Sequence, residues 1–238
     1  MPIENFLIIS LVAIIQSIFG VGLLLFGTPL LLLMNINFLE AISILLPCSI
    51  IVNSQQILRD WQHINWRVVS WTFFCTLPFI FVGLQLTFIY DTKLYLTKAV
   101  GILLVGYAMV GLLLKPFSFN FGTISNMLYF SLMGIIHGLS NLGGSLLSMF
   151  VSNRLRDKSE VRVTIAVCYI FFAVMQVGTL VISHKWVMSH YSFAYIGIVL
   201  VVSFVTSRFI FGRIKSERYR VFFNGLLFMN GLVLLLKK

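Results

Sequence analysis

Apolar segments long enough to cross a bilayer recur along this whole chain. A helix rises about 1.5 Å per residue, so about 20 apolar residues cross the roughly 30 Å of hydrocarbon in a membrane. Of the 238 residues, 59% are hydrophobic and 10% are charged, which predicts an all-α, multi-pass membrane protein with a single domain over residues 1–238. Eight segments are predicted to be membrane elements: 5–34, 39–58, 67–90, 93–114, 124–151, 161–183, 191–212 and 219–236.

The net charge of +10 is concentrated in two short segments between these elements. Asn153–Arg162 carries four Lys or Arg, and Arg208–Arg220 carries five. A basic stripe on a soluble surface would indicate nucleic acid, but between membrane elements the positive-inside rule applies. We therefore expect both basic segments to be cytoplasmic connections, both termini to lie outside, and no nucleic acid to be a partner.

The chain resembles itself at an offset of 120 residues. Residues 40–56 and 160–176 share Glu, Cys, Ile and Gln at matching positions, and both end in Gln. Each segment follows a glycine-interrupted apolar element, "QSIFGVGLLLFGTP" in the first half and "HGLSNLGGSLLSMF" in the second. Transporters are often built from two related halves. We interpret the chain as two repeats, about 1–118 and 119–238, each with one glycine-broken element and three further helices.

The glycines predict a helix break in each repeat. Gly20 and Gly22 interrupt the first element, and Gly143 and Gly144 interrupt the fifth. Glycine is typical of turns and helix ends, and irregular backbone at membrane depth is tolerated only inside protein or beside a wet cavity. Fully spanning and re-entrant elements both fit the sequence. Three spans plus one re-entrant hairpin per repeat would make the two repeats inverted, which is the arrangement we favour.

A helix that begins inside the membrane directs backbone N–H groups and a partial positive charge into the protein, which suits an anion. Two such ends, one from each repeat, would converge if the repeats are inverted. Neither break contains Lys or Arg, so uncharged donors would hold the anion and still permit its release. The candidate substrate-binding residues are Gln16, Ser17, Gly20, Gly22, Gln56, His137, Ser140, Asn141, Gly143, Gly144, Ser145 and Gln176.

Each of these polar side chains also has a structural interpretation, as a hydrogen bond between packed helices. His137 in particular has two interpretations. It supplies a titratable group through which transport is coupled to protons, or it packs as a neutral histidine. The sequence does not separate the two interpretations.

Other classes of function are weaker. An intramembrane enzyme is disfavoured because Asp60, Asp91 and Asp157 lie in or near connections and the chain has no H-E-x-x-H motif. We therefore expect no catalytic residue, no metal and no cofactor. A structural subunit would not need two glycine-broken helices surrounded by polar residues. A channel with the same anion site stays open, because a sequence does not show alternating access.

The element order and the two broken helices resemble the sulfite exporter TauE/SafE family of membrane transporters. The resemblance rests on "IQSIFGVGLLLFGTPLLLLM" followed by "FLEAISILLPCSIIVNSQQ", with a weaker echo in "GIIHGLSNLGGSLLSMF". It implies a secondary carrier that moves small anions, commonly sulfite, sulfonates or related organosulfur compounds, across the bacterial cytoplasmic membrane. The alternatives are an anion channel and a permease for another small organic anion, and both proton coupling and homo-oligomerisation stay open.

Overall fold

The computed structural model describes residues 3–89, 123–187 and 191–236, together with a few positions between 98 and 109. All regular structure in these residues is helical, and no strand occurs among them. The predicted element 93–114 lies largely outside the described residues, so its prediction is not tested.

The described helices begin and end within a few residues of the predicted elements. The first element consists of α1 (Ile3–Phe19), a π-helical turn (Leu23–Gly27) and α2 (Thr28–Leu33). The other helices are α3 (Phe38–Asp60), α4 (Trp66–Cys75), α5 (Leu77–Ile89), α6 (Thr123–Ser140), α7 (Gly143–Arg154), α8 (Lys158–Ile182), α9 (Ser192–Phe209) and α10 (Ser216–Leu236). Short 3-10 turns follow α3 at Trp61–His63 and α9 at Phe211–Arg213. The all-helical prediction is confirmed for the described residues.

Several of these helices have the length and composition of membrane spans. Within the described residues, three helical stretches qualify alone: Phe38–His63, Lys158–Ile182 and Ser192–Arg213. On α9, large apolar side chains such as Phe193, Val201 and Phe204 are exposed, as expected of a helix whose surroundings are lipid. The chain is therefore a multi-pass membrane protein, as the sequence predicts.

The predicted element 67–90 is divided in the structure. α4 and α5 qualify as a span only together, and they are bent by 44° relative to each other. Thr76 separates them, and Pro78 is the second residue of α5. Proline lacks an N–H, and its ring collides with the carbonyl group four residues earlier, here that of Phe74. A straight helix through this point would therefore be distorted.

The chain forms two compact units. Unit 1 comprises Met1–Ile64 and Arg162–Ile214, and unit 2 comprises Asn65–Val161 and Lys215–Lys238. In unit 1, α1 and α3 both pack against α9, and the π-helical turn packs against α1 and α3. In unit 2, α6 packs along α5 and against α4 and α7. Each unit thus combines the broken element of one proposed repeat with the third element of the other.

Glycine brings α5 and α6 close together in unit 2. A Cβ placed on Gly83 would collide with the Ile135 carbonyl oxygen, so only glycine fits at this contact. The Thr87 hydroxyl donates across it, towards the Gly138 carbonyl oxygen at 3.3 Å and the Leu139 carbonyl oxygen at 3.2 Å. Small residues at helix contacts are typical of membrane proteins. This contact fixes the last turn of α6, from which the second break begins.

Candidate functional site

The first predicted break is present, between α1 and the π-helical turn. Gly20 has a φ of 77°, a left-handed conformation that other residues rarely adopt. Gly22 is extended, but a Cβ on it would lie 2.6 Å from the Gln16 backbone nitrogen and 2.7 Å from the Val12 carbonyl oxygen. Gly20 is therefore required by its backbone conformation, and Gly22 is required by lack of space.

The second break is also present, but its turn lies earlier than predicted. The prediction put the turn at Gly143 and Gly144, whereas both glycines stand in the first turn of α7. Asn141 takes the left-handed conformation instead, with a φ of 64°. Asparagine tolerates this conformation because its side chain bonds locally. Gly143 is needed for another reason, since a Cβ on it would collide with the His137 Cβ and the Met133 carbonyl oxygen.

The two breaks share one local construction. In each, the left-handed residue donates its N–H to the carbonyl oxygen four residues earlier, at 2.8 Å. Two residues further on, a glycine packs directly on the residue six positions before it. Positions that correspond are 121 residues apart in the sequence: Gly20 and Asn141, Gly22 and Gly143, Gln16 and His137.

Gln16 is fully buried and links the first break to α3. Its Oε1 accepts a hydrogen bond from the Leu23 N–H at 2.8 Å. Its Nε2 donates to Ser49 Oγ at 3.0 Å and to Asn53 Oδ1 at 2.9 Å. The Gln56 side chain donates to the Gln16 main-chain oxygen at 2.6 Å. Two of the predicted site residues, Gln16 and Gln56, thus meet in a connected polar network that holds the break in shape.

Ser49 belongs to this network, although it is not among the predicted site residues. With Asn53 and Gln56 it occupies positions four and seven residues apart on α3. Residues at this spacing lie on one face of a helix. The sequence signal for Ser49 is therefore the polar stripe that it forms with Asn53 and Gln56 on an otherwise apolar helix.

The first turn after the first break presents backbone donors. A helix start leaves several N–H groups without an acceptor inside the helix. The Leu23 N–H is accepted by Gln16, and two later N–H groups return to the Gly22 carbonyl oxygen at 2.8 and 3.4 Å. Between them, no described hydrogen bond joins the N–H of Leu24 or Leu25 to the non-helical residues 20–22 of the break. Both residues are fully buried.

Polar side chains around the second break bond mainly to its own backbone. Ser140 Oγ donates to the Ile136 carbonyl oxygen at 2.8 Å, and Ser145 Oγ donates to the Leu142 carbonyl oxygen at 2.5 Å. His137 is fully buried next to the turn. Both hydroxyl groups thus donate to carbonyl groups of the break itself, and these hydrogen bonds stabilise its shape.

The start of α7 offers donors like those of the first break. The Ser145 N–H returns to the Leu142 carbonyl oxygen at 3.0 Å. Gly143 and Gly144, both buried, supply the first two N–H groups of α7, for which the helix itself has no acceptor. Each break therefore places two adjacent, buried backbone N–H groups at the start of a helix.

Two further predicted site residues have different surroundings. Ser17 is fully buried, but its hydroxyl donates to the Ala13 carbonyl oxygen within α1, at 2.6 Å. Its hydroxyl proton is thus directed to the preceding turn and away from the break. Gln176 is fully buried in α8, in unit 1, and its role stays a prediction.

Arg162 overturns one expectation about the basic segments. The sequence puts it at the end of a cytoplasmic basic segment and at the start of the predicted element 161–183, yet within α8 its side chain is fully buried. Its guanidinium forms an ion pair with Asp60, donates to the Ser17 carbonyl oxygen at 3.0 Å and lies 3.4 Å from the centroid of the Phe211 ring. Its main-chain oxygen would lie 2.7 Å from a Cβ on Gly20. A fixed positive charge therefore lies beside the first break, where none is predicted.

Comparison with known proteins agrees with the architecture. The family model described as sulfite exporter TauE/SafE matches residues 5–234, nearly the whole chain, and so includes both breaks. No curated protein and no solved structure matches the chain significantly. The chain therefore belongs to the sulfite exporter TauE/SafE family and is a membrane transporter.

Proposed function

We propose that this protein is a secondary carrier for a small oxyanion of the sulfite or sulfonate class. The observation that carries the proposal is the pair of buried N–H groups at each break, those of Leu24 and Leu25 and those of Gly143 and Gly144. The first N–H groups of a helix have no acceptor within that helix, and a buried donor needs one, so these positions favour a ligand that supplies acceptor atoms. Adjacent N–H groups at a helix start are suited to the oxygens of an anion.

Uncharged donors also fit the requirements of transport. A carrier must bind its substrate well enough to remove it from water and weakly enough to release it. Backbone N–H groups provide directional hydrogen bonds without a full charge, and they need no reorganisation when the anion arrives. We place the polar network of Gln16, Ser49, Asn53 and Gln56 around the site as the scaffold that holds the first break open.

We further propose that the chain arose by duplication and that its two halves are inverted. The common construction of the two breaks supports the duplication. The helices that follow support it too, because they begin alike. The Asn37 side chain accepts from the Glu40 N–H at 2.9 Å, and the Asp157 side chain accepts from the Glu160 N–H at 3.0 Å. These pairs are separated by 120 residues.

His137 is our proposed route for coupling to protons. It takes the place in the second break that the neutral Gln16 has in the first, and it is fully buried. A histidine that gains a proton there would change the charge of the break. Proton coupling therefore has a candidate residue in unit 2.

Flux measurements in proteoliposomes test the proposed function. The purified full chain is expected to take up sulfite with a saturable rate, and a sulfonate should compete with it while an uncharged sulfone should not. A rate that rises linearly with concentration and follows the membrane potential would indicate a channel instead. No flux for any anion in a panel would contradict the proposal. Repeating the assay with and without a pH gradient tests the coupling.

A further inference from the structure

The first break carries a buried charge pair that the proposed anion site does not itself explain. Arg162 is fully buried, and the Asp60 side chain that pairs with it is only 12% exposed. The two residues are 102 positions apart in the chain and both belong to unit 1. Removing two charges from water is costly, and a hydrophobic pair often replaces such an ion pair without loss of stability. Stability alone therefore does not explain why this buried pair is charged.

The Arg162 guanidinium is hydrogen-bonded to the C-terminal end of α1. It donates to the Ser17 carbonyl oxygen, one of the last carbonyl groups of α1, which have no acceptor role within the helix. It also donates to Ser207 Oγ at 3.4 Å and stacks on Phe211. The Arg162 Cγ would lie 3.3 Å from a Cβ on Gly20. The positive charge is therefore held close to the first break.

Among the described residues, the other ion pair of Asp60 is with Arg59. Arg59 Nε lies 3.9 Å from Asp60 Oδ1, and the Arg59 side chain is 38% exposed and bonded to the Ser207 carbonyl oxygen. Water and salt screen a charge that is exposed to this degree, whereas the fully buried Arg162 is screened far less. The charge that Asp60 chiefly compensates is therefore that of Arg162.

We propose that Asp60 sets the anion affinity of the first break by neutralising Arg162. An uncompensated guanidinium so close to the break would attract an anion strongly and slow its release. With Asp60 in place the pair carries no net charge, so that the backbone N–H groups of Leu24 and Leu25 decide the affinity. This inference rests on the proposed function, and it assigns the pair a role in turnover as well as in folding.

The Asp60→Asn variant tests the proposal, because it removes the negative charge at almost constant shape. In proteoliposomes, the KM for sulfite is expected to fall about tenfold and kcat to fall by a similar factor, because an uncompensated positive charge then lies beside the first break. Glu217→Gln is the matched control. Glu217 is exposed in the first turn of α10, and its loss should leave both constants unchanged.

Arg162→Gln is the complementary variant and should shift the KM in the opposite direction. It leaves the Asp60 carboxylate beside the break, so the KM should rise about tenfold. The double variant Asp60→Asn with Arg162→Gln is again neutral, and its KM should return to within about threefold of the wild-type value. If Asp60→Asn does not insert into membranes, Arg162→Gln and the double variant decide the question.

The outcomes separate this proposal from the proposed function. Unchanged KM values in inserted variants, with the wild type transporting saturably, would overturn the role of Asp60 and leave the carrier intact. A lower yield of inserted protein with a normal KM would show that the pair is purely structural. A wild-type protein that transports no anion would overturn the proposed function itself.

Discussion

Replacing Gly22 by alanine is expected to reduce anion transport about 100-fold, because a displacement of about 1 Å at a site can have an effect of that size. The new Cβ would lie 2.6 Å from the Gln16 backbone nitrogen and 2.7 Å from the Val12 carbonyl oxygen. Both atoms belong to the backbone of α1 and cannot rotate away as a side chain does. The π-helical turn must therefore shift, and with it the N–H groups of Leu24 and Leu25. The measurement is the initial rate of sulfite uptake into proteoliposomes.

Gly178→Ala is the control for this variant. Gly178 lies in α8 of the same unit, and a Cβ on it would meet nothing within 4 Å. It should insert and transport like the wild type. Gly143→Ala, with Gly225→Ala as its own control, should repeat the result at the second break. Wild-type transport by a well-inserted Gly22→Ala protein would show that the first break is not part of the transport site.

Replacing Gln16 by glutamate should reduce anion transport at least about tenfold, because a negative charge then lies beside the proposed anion site in a medium of low dielectric constant. The substitution keeps the shape of the side chain and the oxygen that accepts from the Leu23 N–H at 2.8 Å. It replaces the amide that donates to Ser49 and Asn53. The expected loss appears as an increase in the KM for sulfite.

Two further variants identify the cause of that loss. Gln62→Glu adds the same charge at an exposed position and should leave the KM unchanged. Gln16→Leu adds no charge but leaves the Leu23 N–H without its acceptor, which costs about 1–3 kcal/mol of stability for a buried group. If Gln16→Glu retains the wild-type KM while Gln16→Leu loses folded protein, then Gln16 is a structural residue only and the anion lies elsewhere.

The helices and both breaks could be predicted because the signals that produce them are local. About 20 apolar residues fit the membrane thickness wherever they occur, and clustered glycines disfavour a continuous helix from within their own sequence. The exact turn in the second break was harder to predict. Two residue types there serve different needs, since Asn141 adopts the left-handed conformation and Gly143 avoids a collision with His137. Sequence shows both residues but not the collision.

The burial of Arg162 could not be predicted because its cause is not local. An arginine four residues after Lys158, at the start of a helix, is normally solvated, and the positive-inside rule favours that interpretation. Its burial depends on Asp60, from the end of α3, and on the Ser17 carbonyl oxygen, from the end of α1. Only the packing of these helices brings the three groups together. Ser49 differs, because the polar stripe on α3 marks it in the sequence and only its bond to Gln16, 33 residues away, depends on packing.

Anomalous diffraction from crystals grown with selenite tests the central claim most directly, because selenite is a pyramidal oxyanion like sulfite and selenium can be located by its anomalous signal. The transport-competent wild-type protein should show a selenium peak within about 4 Å of the backbone nitrogens of Leu24 and Leu25, or of Gly143 and Gly144, since an oxygen of the anion would lie about 2.9 Å from each donor. Gly22→Ala should lose the peak at the first break. Selenium peaks only at exposed arginines such as Arg59 or Arg213, with both breaks empty, would contradict the account.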